Sequence, residues 1–164
     1  LRYKRDKDGQ SRKKIFNFYM KMLRAGHVNN WDLVDVSAPI IGDFLISVPD
    51  HMKLLEKLSR SKDLWHRRVA MVFTFAFLRR GITGPTVVIA ENLLDDKHDL
   101  IHKATGWMLR EMGKRDSYLL RSFLKENAPY MPRTALRYSI ERLPESERKR
   151  WLAIKPIDQS GRRS

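Results

Sequence analysis

Cysteine is absent from this sequence. Disulfide frameworks, thiolate zinc sites and cysteine nucleophiles are therefore excluded together. No apolar run approaches the roughly 18 residues of a membrane-spanning helix, and no signal-peptide pattern is visible. Also missing are GxSxG, a Walker loop, GxGxxG and HExxH. These are the short signatures of α/β-hydrolase triads, P-loop nucleotide sites, dinucleotide-dependent oxidoreductases and zincin proteases. The five histidines show no metal-ligand spacing, so neither a metal nor a cofactor is expected. Acidic residues are in short supply: 19 face 33 lysines and arginines among 164 residues, a formal net charge of +14.

What is present points to a folded basic protein. An apolar content of 42% is too high for a disordered basic tail. The length fits one domain or one array of repeats and can bury roughly 70% of the unfolded surface without a covalent staple. A folded domain with this surplus expects a polyanion. Nucleic acid comes first. An anionic membrane surface comes second, because the charge is spread along the chain rather than gathered on one amphipathic helix. The plainest alternative is a basic surface with no ligand.

The periodicity predicts an all-α chain. Residues 1–8 read as the end of a helix, which Gly9 helps to stop, followed by a loop. A helix over 11–24 carries Ile15, Phe16, Tyr19, Met22 and Leu23 at helical spacing. Another begins near Asn30 and runs through WDLVDV, with Pro39 making a kink or a new start before IIGDFLIS. Asp50, Asp63, Asp99 and Asp116 are read as N-caps of four further helices, and 85–94 as a shorter one. Pro132 and Pro144 open the last two, RTALRYSIERL and ESERKRWLA. VFTFAF is the one stretch that could be a strand, but it lies within a longer helical pattern. Residues 1–157 are read as one helical-repeat domain and 158–164 as a disordered tail. A weak repeat sets Asp63, Leu64, His66 and Arg67 against Asp99, Leu100, His102 and Lys103, thirty-six residues on. Paired helices with short connections and such a repeat predict a HEAT or armadillo-like helical-hairpin solenoid with a basic concave face.

Three segments carry candidate chemistry. In NNWDLVD, Trp31 and Asp35 share a helix face, whereas Asp32 reads as a helix-start carboxylate. Asp35, flanked by valines, is either paired to a basic neighbour or catalytic. In KATGWMLREMGKR, Lys103, Trp107, Arg110 and Lys114 form one stripe, opposite Ile101, Ala104, Met108 and Met112. That stripe is either a solvated face whose stems cover the ring or a nucleic-acid surface. Gly106, costly in a helix interior, is tolerated if something approaches closely there. In LWHRRVAM, Trp65 and Arg68 can share a face, while His66, like His102, reads as a surface or packing residue. Arg133 and Arg137 offer a possible extension of the groove or plain surface charge.

VNNWDLVDVSAPIIG, LWHRRVAM, DLIHKATGWMLREMGKRD and MPRTALRYSIERL together resemble the DNA alkylation repair family, the AlkD-like DNA glycosylases, over about residues 1 to 152. The resemblance implies a HEAT-like solenoid that removes alkylated purines from duplex DNA. It implies that Asp35 is the catalytic aspartate of the WDxVD motif and that Trp31 and Trp107 contact the backbone and sugar of the damaged nucleotide. It further implies that Arg68 holds DNA near the lesion; Lys103, Arg110 and Lys114 are expected to bind DNA on the strength of their stripe. The damaged base stays within the duplex in that family, unlike general base flipping. The expected partner is duplex DNA bearing alkylated purines, with no membrane and no metal, in the cytoplasm and at the nucleoid in a bacterium. The first residue is not methionine and falls inside an expected helix, so the chain reads as the carboxy-terminal part of a family member. Its uncapped solenoid end is a place where two chains could stack. The alternative is a non-catalytic helical-repeat module that binds nucleic acid or proteins.

Overall fold

Side-chain oxygens start four of the helices. Asp8 accepts from the backbone N–H of Ser11 at 2.9 Å, Asn30 from Leu33 at 2.9 Å, Asp63 from Trp65 at 2.7 Å, and Asp116 from Leu119 at 2.8 Å. The structure, a computed structural model, describes Tyr3 and residues 8–157. The element order is α1 (Gly9–Arg24), α2 (Trp31–Ile41), a 3-10 turn (Gly42–Ser47), α3 (His51–Ser59), α4 (Leu64–Leu78), α5 (Gly84–Asn92), α6 (Asp99–Gly113), α7 (Ser117–Asn127), α8 (Arg133–Ser139) and α9 (Glu145–Ala153). Among the described residues there is no strand, and VFTFAF is helical.

Several starts and stops differ from the sequence reading. Gly9 opens α1, with Asp8 supplying the cap. Pro39 lies inside α2, and the chain tightens into the 3-10 turn three residues later. Lacking an N–H, Pro39 cannot donate to the carbonyl four residues back, that of Asp35. Asp50 occupies the N-cap position of α3, but its side chain makes no cap hydrogen bond and pairs with Lys53 at 2.9 Å. Asp99 is not a cap either. His98 takes that role through its ring nitrogen, and Asp99 enters the first turn to pair with Lys103 at 2.7 Å. Helix α8 stops at Ser139, short of the expected ERL. The expected helix over the first residues, the solenoid end and the tail 158–164 lie outside the described residues, Tyr3 and Asp8 excepted.

The helices form a two-layer stack, a helical-repeat solenoid. Helices α2, α4, α6 and α8 pack successively side by side. They begin at residues 31, 64, 99 and 133, a period of about 34. Behind them, α3 and α5 pack on α4, and α5 and α7 on α6. Helix α4 sits at the centre, against α2, the 3-10 turn, α3, α5 and α6. That position explains its composition: Val69, Ala70, Met71, Val72, Phe73, Phe77 and Leu78 are all buried, so it is apolar almost all round. Each such large apolar side chain contributes about 1.5–3 kcal/mol of burial.

At the far end the layers are tied by charge. Arg121 of α7 grips Glu147 of α9 through Nε at 2.7 Å and Nη2 at 2.9 Å. Arg133 donates to the carbonyls of Leu152 and Ile154, so it fastens the end of α9 rather than extending a groove. The Arg121 fork holds the Glu147 carboxyl below the usual range. A depressed folded-state pKa means that the pair contributes stability above the unfolded value and loses it as pH falls through the folded one. The stability difference between wild type and Glu147→Gln, followed by urea denaturation, is therefore expected to shrink steadily below about pH 4.

Gly106 explains the close approach of α6 and α8. A Cβ there would lie 2.4 Å from Tyr138 Cβ and 2.5 Å from the Ala135 carbonyl oxygen. Gly9, also helical, has nothing within 4 Å of such an atom. Gly106→Ala is expected to cost about 1–3 kcal/mol of overpacking, against about 1 kcal/mol gained in helix propensity. The urea midpoint should fall for Gly106→Ala and hold or rise slightly for Gly9→Ala.

Candidate active site

The start of α2 presents Trp31 to solvent at 55% exposure, one turn ahead of Asp35. The Asn30 cap fixes where that turn begins. Asp32 lies exposed in the first turn, where the helix dipole favours a carboxylate. Asp35 points towards α4 and meets Arg68 in a two-pronged contact. Arg68 Nε donates to Asp35 Oδ1 at 3.0 Å and Nη2 to Oδ2 at 2.6 Å. The third nitrogen, Nη1, donates to the carbonyl of Leu100 in α6. Side-chain exposure is 5% for Arg68 and 22% for Asp35. The arginine is thus wholly engaged behind the acid, and the acid keeps an edge open to solvent. A planar fork matched to a carboxylate fixes orientation as well as position.

That edge faces an open cavity of about 450 Å³ lined by Trp31, Asp35, Arg68, Leu100, Lys103, Trp107, Arg110 and Tyr138. Trp107 is half-buried, with its ring centroid 6.1 Å from that of Phe75. Lys103 is held by Asp99, and Arg110 by Glu141. Lys114 pairs with Glu111 at 2.6 Å and lines a neighbouring cavity instead, with Arg121 and Arg142. Behind Asp35, the hydroxyl of buried Tyr19 lies 3.2 Å from Ser37 Oγ. Burial, and secondarily the charge of Asp35, pushes the Tyr19 hydroxyl up to about 12, so it stays protonated at neutral pH.

Six of the seven residues singled out in the sequence therefore meet at one cavity, and Lys114 stands beside it. Trp65 packs on the core and does not line the cavity. His66 and His102 are tethers: their Nε2 atoms lie 3.4 Å from the Leu23 carbonyl oxygen and 2.6 Å from that of Asp96. No cluster of metal-ligating side chains occurs among the described residues.

Tyr138, the Leu100 carbonyl and Phe75 were missed, and one signal could have found the first. Helices α4 and α6 begin at 64 and 99, an offset of 35 rather than 36. At the shorter offset Arg68 aligns with Lys103, and Lys103 with Tyr138. All three line the cavity. The misplaced cap at Asp99 produced the one-residue error.

The fold and site define a helical-repeat solenoid carrying a fixed carboxylate among aromatic and cationic side chains. A family model described as DNA alkylation repair enzyme matches residues 1–143. The chain belongs to that family, which gives it a role in the repair of alkylated DNA. No curated protein and no solved structure matches it.

Removing Arg68 would strip the Asp35 carboxylate and the Leu100 carbonyl of their donors at once. Arg68→Ala is expected to cost about 2–4 kcal/mol in urea denaturation. Arg68→Lys keeps the charge but not the fork, and should recover less than half of that loss.

Proposed function

We propose that the chain is a DNA glycosylase that hydrolyses the N-glycosidic bond of cationic N3- and N7-alkylated purines in duplex DNA. The observation that carries this reading is the Asp35 carboxylate, locked by Arg68 yet open to the cavity between Trp31 and Trp107. An alkylated purine of this kind is positively charged, so its bond to the sugar is already weakened. The base leaves with little help from a general acid. Charge then develops on the sugar as an oxocarbenium ion. A carboxylate that needs no reorganisation stabilises that charge and orients the attacking water.

Trp31 and Trp107 offer ring faces to the cationic centre, each worth on the order of 1 kcal/mol. Tyr138 is a third aromatic side chain at the same cavity, 38% exposed. Lys103 and Arg110 serve phosphates by exchanging their present carboxylate partners. Arg68 acts as a positioning residue. Its burial and its three engaged nitrogens favour that role over the direct hold on DNA that the resemblance implied.

Release of 7-methylguanine from methylated duplex DNA tests the proposal. Asp35→Asn should lower release by about 10²-fold or more while binding is kept. The alternative is a module that binds nucleic acid without reacting, which the +14 charge favours equally. A binder should bind as well or better after Asp35→Asn, with no activity to lose. Absence of methylpurine release from wild type would end the glycosylase reading. Binding insensitive to salt and to DNA would point to a protein scaffold.

A further inference from the structure

Phe75 stands seven residues after Arg68 on the same stripe of α4, and its ring meets Trp107 of the cavity. Two guanidinium groups flank that ring. Arg79 Cζ lies 5.6 Å from the centroid and Arg115 Cζ 5.7 Å. Each is tethered a second time. Arg79 donates to the Pro39 carbonyl at the end of α2, and Arg115 Nη1 donates to the Glu111 carbonyl at 2.7 Å. Both side chains belong to exposed residues.

Their charges are not cancelled. Arg79 has no carboxylate within 4.0 Å among the described residues, and its tether is a neutral carbonyl. Arg115 shares the Glu111 carboxylate, at 3.5 Å, with Lys114 and Arg110. Beyond Arg79 the surface opens into a cavity of about 320 Å³ lined by Tyr3, Arg12, Ile40, Asp43, Arg79 and Arg80. There Asp43 faces both Arg80 at 3.3 Å and Arg12 at 3.8 Å. A line of arginines therefore leads from the Trp107 edge of the candidate active site across α4 to the end of α2.

We propose that Arg115 and Arg79, held on the Phe75 ring, bind backbone phosphates of the DNA duplex beside the lesion, with Arg80 continuing the track. The inference rests on the cavity-bearing face of α2, α4, α6 and α8 being the DNA surface, and not on the chemistry at Asp35. A guanidinium stacked on an aromatic ring keeps its forward N–H groups free for a phosphate while its long stem is already ordered. Less conformational entropy is then lost on binding than for a lysine swinging in solvent. Continuity with the cavity through Trp107 and Phe75 places these cations where strands flanking the lesion would pass. An acidic protein is the competing occupant, and it would leave the DNA-binding slopes of the Arg79 and Arg115 variants at the wild-type value.

The test is the salt dependence of binding to an undamaged fluorescent duplex, read by anisotropy between 50 and 200 mM salt. Variants are Arg79→Ala, Arg115→Ala and the pair, with Lys125→Ala removing one charge from the outer helix α7. Each single track variant should lower the slope of log K against log salt by about one, and the double by about two. Affinity should fall alike for different sequences, and Lys125→Ala should change neither quantity. Arg79→Gln keeps an N–H for the Pro39 carbonyl and should lose the same unit of slope, which separates lost charge from a loosened helix end. Slopes equal to wild type in the folded Arg79 and Arg115 variants would overturn the track, as would losses matched by Lys125→Ala. Slope losses in a protein that releases no methylpurine would remove the glycosylase reading and leave the track standing. Intact methylpurine release with unchanged slopes would remove the track alone.

Discussion

One guanidinium group holds the candidate site together. Arg68 reaches from α4 to the carboxylate of Asp35 in α2 and to the carbonyl of Leu100 in α6. Three helices that pack successively, α2, α4 and α6, are thereby joined at the point where the chemistry is proposed. The energetic logic is asymmetric. A buried arginine with every nitrogen engaged adds modest net stability, but a buried arginine or its partner left alone costs much more. The arrangement therefore specifies geometry more than it raises stability. It also fixes a carboxylate at a surface otherwise rich in lysine and arginine.

That field is more structured than the net charge conveys. Lys103, Arg110 and Lys114 each have a carboxylate partner, in Asp99, Glu141 and Glu111. A phosphate approaching the cavity must displace one of these acids, a swap of one charge-assisted contact for another. Arg79 differs, since no carboxylate needs displacing there. The surplus of unpaired cations supplies long-range attraction and rate of encounter. The paired ones supply ordered side chains near the pocket. Both functions draw on the same composition, but only the structure separates them.

Much of the architecture was legible because it depends on local signals. Asp63 and Asp116 cap as read, a helix begins at Asn30, and the apolar periodicity of α1 and α6 gives the faces that are buried. The Asp35–Trp31 pair was legible from helical spacing. Asp35 was left open between an ion pair and a catalytic role, and the ion pair exists without deciding the other. What was not legible depends on competition between partners, within a helix start or across helices. His98 outcompetes Asp99 as a cap because Asp99 is drawn into its pair with Lys103. Arg133 is claimed by carbonyls of a helix that follows it. Tyr138 enters the cavity because Gly106, thirty-two residues earlier, lacks a side chain. No local pattern around position 138 contains that information.

The row formed by Asp35, Arg68, Lys103 and Tyr138 takes the fifth residue of α2, α4 and α6 and the sixth of α8. Such a row is sensitive to one kind of sequence change and indifferent to another. Residues gained or lost in the connections between helices leave every rung where it is, provided that the caps still form. A single residue gained within α4 or α6, upstream of its rung, turns that rung by about 100° around the helix axis and carries it away from the cavity. Length variation between relatives of this chain should therefore gather in the connections, with the distance from each cap to its rung kept constant.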